Sequence, residues 1–183
     1  WNKKVFKNIQ EKVDAASKSL AEERDACPDA EEYGIKERFS NKTAIAPTAS
    51  ISIICGGSSP GIEPIAANSF THKTLSGSFN VRNKYLKKIL SKYKKDTDDV
   101  WSSITTNQGS VSHLDFLTAE EKDTFKTAFE IDQRWIVELG ADRTPHISQA
   151  QSINIFIPAD IHKKDLHNLH FQAWKKGLKS LYY

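Results

Sequence analysis

Thr48, Ser50 and Ser52 put three hydroxyls between a proline and a glycine pair in Ala46-Pro47-Thr48-Ala49-Ser50-Ile51-Ser52-Ile53-Ile54-Cys55-Gly56-Gly57. That pattern suits an anion, and a phosphate above all. Hydroxyls donate single hydrogen bonds, and the N–H groups of a turn entering a helix converge with the positive end of the peptide dipoles behind them. The loop contains no lysine. Amide and hydroxyl donors therefore carry the neutralisation, which fits a phosphate held for positioning and not one being transferred. Ile45 and Ala46 read as the end of a short buried strand that Pro47 terminates. From spacing alone, an ordinary strand-to-helix connection with a Ser/Thr cap is the simpler reading.

The other side chains with chemistry are less organised. Cys27 and Cys55 are the only cysteines, and their separation matches no Cys-x-x-Cys metal pattern. They read as unpaired structural thiols. His162, His167 and His170 invite a metal, but His162 falls well around the helix from the other two and no carboxylate completes a set. Solvated or hydrogen-bonded histidines are preferred, and His72, His113 and His146 are too scattered to group. Neither a Gly-x-x-x-x-Gly-Lys loop nor a Gly-x-Ser-x-Gly elbow occurs. Tyr182 and Tyr183 follow an apolar strand pattern. Neighbouring strand residues point to opposite faces, so one ring looks inward and the other outward; by composition alone they are core and rim aromatics.

The elements that must position these residues are legible in outline. Val5, Ile9, Val13, Ala16 and Leu20 form one apolar helical stripe, giving a helix of about five turns. Asp25-Ala26-Cys27-Pro28-Asp29 ends it, and a charged connection from Glu31 to Ser40 leads to the strand before the hydroxyl loop. Residues 62–70 are expected to be extended. Lys84, Lys87, Lys88, Lys92, Lys94 and Lys95 decorate a helix whose apolar positions are Val81, Tyr85, Ile89 and Tyr93. Asp96, Asp98 and Asp99 follow at once, so this is a solvated face and not a nucleic-acid surface. Thr118-Ala119-Glu120-Glu121 is a capping box, from which Phe125, Ala128, Phe129, Ile136 and Leu139 continue as one helix to Gly140. Ile153, Ile155 and Ile157 alternate as a strand. Asp160 then caps a helix through Leu166, Leu169 and Ala173 that closes on Lys175, Lys176 and Gly177. Strand, helix and strand make a right-handed crossover unit, and the class is α/β.

Composition excludes little. The 183 residues suffice for one domain, or part of one, and a net charge of +3 is too mild to imply nucleic acid. No apolar run has the length of a membrane span, and Trp1-Asn2-Lys3-Lys4 leads into no signal-peptide core. A reducing, cytoplasmic setting is the simplest reading. The chain begins at Trp1, lacks methionine and stops on Tyr182-Tyr183. Both ends look cut, and a piece of a longer polypeptide is expected.

Pro47-Thr48-Ala49-Ser50-Ile51-Ser52, then Gly61-Ile62-Glu63-Pro64, then Thr74-Leu75-Ser76-Gly77-Ser78-Phe79 resembles the large catalytic subunit of ribonucleotide reductase. Gln149-Ala150-Gln151-Ser152-Ile153-Asn154-Ile155 is similar to that family's late barrel strand, and Trp174 to Tyr183 to its Lys-x-Leu-Tyr-Tyr strand. The resemblance covers essentially the whole chain and implies the later portion of a ten-stranded α/β barrel, as a single partial domain over residues 1–183.

By that resemblance, Pro47, Thr48, Ala49, Ser50 and Ile51 grip the diphosphate of a ribonucleoside diphosphate substrate. Tyr182 and Tyr183 carry a radical from a metal-containing small subunit, Tyr182 nearer the active site and Tyr183 nearer the subunit interface. The tyrosine pair points to class I. A cobalamin-dependent enzyme makes its radical beside the substrate and needs no such relay; a non-catalytic phosphate- or nucleotide-binding module is the alternative of a different kind. The implied partners are the substrate, the remainder of the large subunit and the small subunit, with no nucleic acid and no membrane. No metal or cofactor is expected on this segment. The implied reductant is thioredoxin or glutaredoxin, and ATP or dNTP effectors bind elsewhere. The family's radical cysteine, redox-active cysteine pair and mobile C-terminal cysteines have no counterpart here, since neither Cys27 nor Cys55 sits in a matching motif. These residues alone are expected to reduce nothing.

Overall fold

A computed structural model describes residues 1–74 and 77–181. The chain forms two compact units, one of residues 1–47, 133–155 and 161–183, the other of residues 48–132 and 156–160.

In the first unit, helix α1 (Asn2–Arg24) leads to the short helix α2 (Pro28–Glu32), with Pro28 opening its first turn. The long helix is where periodicity placed it, but its buried face is turned. Val5 and Ile9 are exposed, whereas Asn2, Phe6, Gln10, Val13 and Leu20 are half-buried and Ser17 is fully buried. The reason is polar packing. The Ser17 hydroxyl accepts the N–H groups of Arg38 (3.1 Å) and Phe39 (3.3 Å), and the Arg143 guanidinium lies 5.7 Å from the centre of the Phe6 ring. A stripe sought only among apolar residues misses such a face.

Helices α7 (Arg134–Arg143) and α8 (Lys163–Lys175) complete this unit. Gly140 lets them close around the chain: a Cβ there would lie 2.8 Å from Ile153 Cδ1 and 3.3 Å from Leu178 Cδ2. The expected strand through Ile153, Ile155 and Ile157 is corrected. Residues 152–157 form no ladder among the described residues, and only an isolated parallel bridge joins Ile45 to Gln151. Gln151, Ser152 and Ile153 are buried consecutively, the pattern of a segment covered on both faces and not of an alternating strand. Ile45 does pair where a strand end was expected. The cap of α8 also differs: His162, not Asp160, occupies it, its Nδ1 accepting the Lys164 N–H at 3.1 Å. The C-terminal signal holds. Gly177 takes φ 77°, its N–H donates to Trp174 O (3.0 Å), and Leu178 N–H donates to Ala173 O (3.1 Å), a paired closure of the last turn.

The second unit begins with helix α3 (Ala49–Ile54) and continues into an antiparallel hairpin, β1 (Ser69–Thr74) and β2 (Gly77–Arg82), with Ser69 opposite Arg82 and Phe70 opposite Val81. Ahead of the hairpin, residues 62–68 form bends and not a strand. Helices α4 (Lys84–Lys92) and α5 (Asp98–Thr106) follow. The basic helix exists as expected, but its buried stripe is Leu86 and Leu90 with Ile89 and Tyr93 beside them, while Tyr85 faces solvent. These leucines join Trp101, Ile104, Val111, Leu114 and Leu117 in one core.

The long helix expected from Thr118 to Gly140 is three elements: α6 (Ala119–Thr124), a single 3-10 turn (Ala128–Glu130), and α7 in the other unit. Two interactions end α6 early. The Asn68 side-chain amide takes the Phe125 carbonyl at 2.7 Å, and the Ala128 N–H donates to Ile65 O at 2.8 Å. Thr127 and Glu130 then form a second capping box behind the expected one at Thr118 and Glu121.

Candidate functional site

The hydroxyl loop runs from Pro47 into the first turn of α3. Thr48 stands at the N-cap position, yet its side chain caps nothing in the helix. It turns the other way instead. Both its N–H (2.8 Å) and its hydroxyl (2.9 Å) donate to the carbonyl of Pro60. The Pro60 turn is itself braced, since the Ser59 hydroxyl donates to Glu63 O at 2.7 Å and accepts the Gly61 N–H at 3.4 Å.

Ser52 is buried and its hydroxyl donates back to Ala49 O at 2.7 Å. Ala49, Ser50 and Ile51 are exposed. As first-turn residues, their N–H groups have no acceptor inside the helix. The three hydroxyls grouped by spacing thus separate into two that fix the loop, Thr48 and Ser52, and one, Ser50, that stands open with those N–H groups.

The far end of α3 holds a group that spacing did not reveal. Lys84, outside the loop in sequence, donates from Nζ to Gly56 O at 3.1 Å, just beyond the Cys55 C-cap. A cation at a helix C-terminus offsets the carbonyl end of the peptide dipoles, so Lys84 holds the Gly56-Gly57 turn and leaves the amino end to its N–H groups. Both glycines have positive φ, 81° and 73°, which only a residue without Cβ adopts at little cost. The Gly56 N–H donates to Ile53 O (3.1 Å) and the Gly57 N–H to Ser52 O (2.9 Å), so the glycine pair closes the helix.

Tyr182 and Tyr183 lie outside the described residues. The chain just before them is well tied in the first unit. Lys179 Nζ donates to three successive carbonyls, Ile147 (2.8 Å), Ser148 (2.8 Å) and Gln149 (3.1 Å). The same bend is held from its other side by Thr43. The Thr43 N–H donates to Ser148 Oγ at 2.9 Å, and Ser148 Oγ donates to Thr43 O at 3.0 Å. The Gln149 N–H also donates to Thr43 O, at 2.9 Å.

The histidines are occupied individually. His162 caps α8, His170 Nδ1 lies 2.9 Å from Leu166 O, and His167 stacks on Phe171 at 6.0 Å. No group of three or more His, Cys, Asp or Glu suited to a metal occurs among the described residues. Cys27 and Cys55 are free thiols. No helix among the described residues is long and apolar enough to cross a membrane.

Comparison with known proteins bears on the whole chain. The family model described as "Ribonucleotide reductase, barrel domain" matches residues 1–183. The ribonucleoside-diphosphate reductase large subunit of Invertebrate iridescent virus 6 is 48% identical over 98% of this chain and 19% of its own length. That of Caenorhabditis elegans is 36% identical over 80% of this chain and 18% of its own. Among solved structures, the Actinobacillus ureae class Id ribonucleotide reductase alpha subunit superposes with a TM-score of 0.88 at 38% identity, covering all of this chain and 33% of that one. The chain thus spans about a fifth to a third of the length of these relatives. Its helices, hairpin and the Ile45–Gln151 bridge are accordingly a portion of an α/β barrel. The chain belongs to the ribonucleotide reductase family, in the barrel domain of the class I large subunit.

Proposed function

We propose that this segment serves the radical-based reduction of ribonucleoside diphosphates to deoxyribonucleoside diphosphates, with two tasks. The first turn of α3 holds the substrate diphosphate, and Tyr182 and Tyr183 pass the radical inward from a metal-containing small subunit. The observation that carries the first task is the separation of roles in the loop. Thr48 and Ser52 spend their protons on Pro60 and Ala49, and this fixes the exposed Ser50 hydroxyl and the N–H groups of Ala49, Ser50 and Ile51 as a donor set. Such a set suits an anion that is positioned and not cleaved. Family membership over all 183 residues supports the second task.

The segment works with the remainder of the large subunit and with the small subunit, and it reduces nothing alone. Electrons come from a thioredoxin or glutaredoxin, and ATP or dNTP effectors bind outside it. The test is a binding measurement on the full-length large subunit. Ser50→Ala removes one hydrogen bond to a charged group, a loss of about 1.5–3 kcal/mol, so affinity for a ribonucleoside diphosphate falls roughly tenfold or more. Affinity for the matching nucleoside, which has no phosphate, stays unchanged. Equal affinities of parent and variant for the diphosphate contradict the loop's role.

A further inference from the structure

We infer that Glu63 and Gly61 position the hydroxyl loop for the substrate diphosphate: the buried Glu63 carboxylate lies across the bare face of Gly61 and sets the Pro60 carbonyl on which Thr48 is latched. The inference rests on the loop reading above and adds to it two residues that do not themselves touch the phosphate.

Gly61 is needed for its space and not for its backbone. It does not take a positive φ, so a residue with a side chain could follow the same path. Yet a Cβ there would lie 2.2 Å from Glu63 Oε2 and 3.3 Å from Glu63 Cδ. Apart from its chain neighbours, the three heavy atoms nearest to that position all belong to the Glu63 carboxyl group. Glu63 is 6% exposed, so this head group is enclosed and not spread on the surface.

The chain around the seat is restricted at both ends. Ser59 precedes Pro60 and Glu63 precedes Pro64, and a residue before proline is turned away from helical conformations. The Ser59 hydroxyl joins the two, donating to Glu63 O at 2.7 Å and accepting the Gly61 N–H at 3.4 Å. The Glu63 side chain then closes the turn over Gly61. What the turn presents to the loop is Pro60 O, which takes the Thr48 N–H at 2.8 Å and the Thr48 hydroxyl at 2.9 Å. Thr48 O in turn accepts the Ser52 N–H at 2.8 Å, so the position of the turn passes into the first turn of α3. Every link from Glu63 to Ser52 is a direct contact or a bond along the chain. Donors that position a ligand must be held before it arrives, because a misplacement of about 1 Å costs a reaction about a hundredfold.

The test is binding to the full-length large subunit, comparing Gly61→Ala, Glu63→Ala, the double variant and Glu63→Gln with the parent. A Cβ at position 61 evicts the carboxylate, and alanine at position 63 removes it. Each single variant is expected to bind a ribonucleoside diphosphate about fivefold to tenfold more weakly. Both act on one contact, so the double variant should stay within about twofold of Glu63→Ala, and the two losses should not multiply. Glu63→Gln keeps a planar head group of the same size in the seat and should stay within about threefold of the parent. Affinity for the matching nucleoside, which has no phosphate, should stay within about twofold in every variant, which a general loosening of the subunit would not give.

Single variants that bind the diphosphate as the parent does overturn this inference, as do losses that multiply in the double variant, a loss with glutamine as large as with alanine, or a parallel fall in nucleoside affinity. The loop reading still stands in those cases if Ser50→Ala weakens diphosphate binding. Equal diphosphate affinities of Ser50→Ala and the parent overturn the loop reading, and this inference with it. Hydrogen exchange gives a readout that needs no ligand. Glu63→Ala is expected to speed exchange of the amides of residues 49–54 at least about threefold, and unchanged exchange there also overturns the inference.

Discussion

The carbonyl of Pro60 accepts both donors of Thr48, the N–H at 2.8 Å and the hydroxyl at 2.9 Å. The first hydroxyl of the loop is thereby a latch between two turns, and its proton faces away from the helix it precedes. This is what holds the exposed first turn of α3 in place without a side-chain cap.

Thr48→Val keeps the shape of the side chain and removes the latch, at a cost of about 1 kcal/mol for one neutral hydrogen bond. The amides of α3 are expected to exchange roughly fivefold faster in this variant, and Thr48→Ser to stay near the parent. Hydrogen exchange resolved by mass spectrometry over residues 49–54 decides it, and equal rates in Thr48→Val and the parent would show that the latch carries no load.

Asn68 closes the open end of the hairpin. Its amide donates to Gly109 O (3.0 Å) and Phe125 O (2.7 Å), and its Oδ1 accepts from Asn83 Nδ2 (2.8 Å), all on a residue 1% exposed. Asn68→Ala takes this partner from Phe125 O and Asn83 Nδ2, while Gly109 O keeps the Asn68 backbone N–H at 3.1 Å, and each unsatisfied buried group costs about 1–3 kcal/mol. A fall of about 3 kcal/mol in the stability of this region is expected from denaturant titration. Gly109→Ala should be at least as damaging, because its Cβ would come 2.3 Å from Ala67 Cβ at φ 81°.

Acid should loosen both units through identifiable carboxylates. The Thr118 N–H, and then the Tyr93 hydroxyl, hold Glu121 below its ordinary value of 4.5. Glu138 is held below 4.5 by the Lys176 ammonium at 2.7 Å, then by the Gln172 amide. A carboxylate whose pKa is lower folded than unfolded adds stability at pH above the unfolded value, and that stability is lost as pH falls through the folded one. Denaturation midpoints followed downward from about pH 6 should begin to fall near pH 4.5. Glu121→Gln should flatten the part due to α6. A decline identical in that variant and the parent would remove Glu121 from the account.

Much of this was readable in advance, and the exceptions share a cause. The helices at residues 2–24, 84–92 and 163–175 and the capping box at Thr118 stood in local patterns of caps and apolar spacing. What local pattern could not supply was tertiary polar contact. Ser17, Arg143 and Gln151 are buried because each meets a polar partner distant in sequence or brought near by the fold: Ser17 Oγ accepts the Arg38 and Phe39 N–H groups, and Arg143 Nε donates to Gln151 Oε1 at 2.9 Å. That turned the face of α1. Asn68, distant in sequence, broke the helix after Thr124, although Thr127-x-x-Glu130 was a second capping box open to inspection. In the candidate site the loop itself was legible from its hydroxyls and its proline. The partners that divide the labour among those hydroxyls, Pro60 and Lys84, were not, because only the fold brings them near.

The central claim is that this segment carries a radical to a substrate gripped by its own loop. The most direct test is single turnover by the full-length large subunit, assembled with its small subunit, bearing Tyr182→Phe or Tyr183→Phe. Phenylalanine keeps the ring and removes the oxidisable phenol. The account predicts that each variant binds the ribonucleoside diphosphate as the parent does, yet turns over at least about a hundredfold more slowly, an effect on the chemical step alone. Turnover within about twofold of the parent in either variant would contradict it.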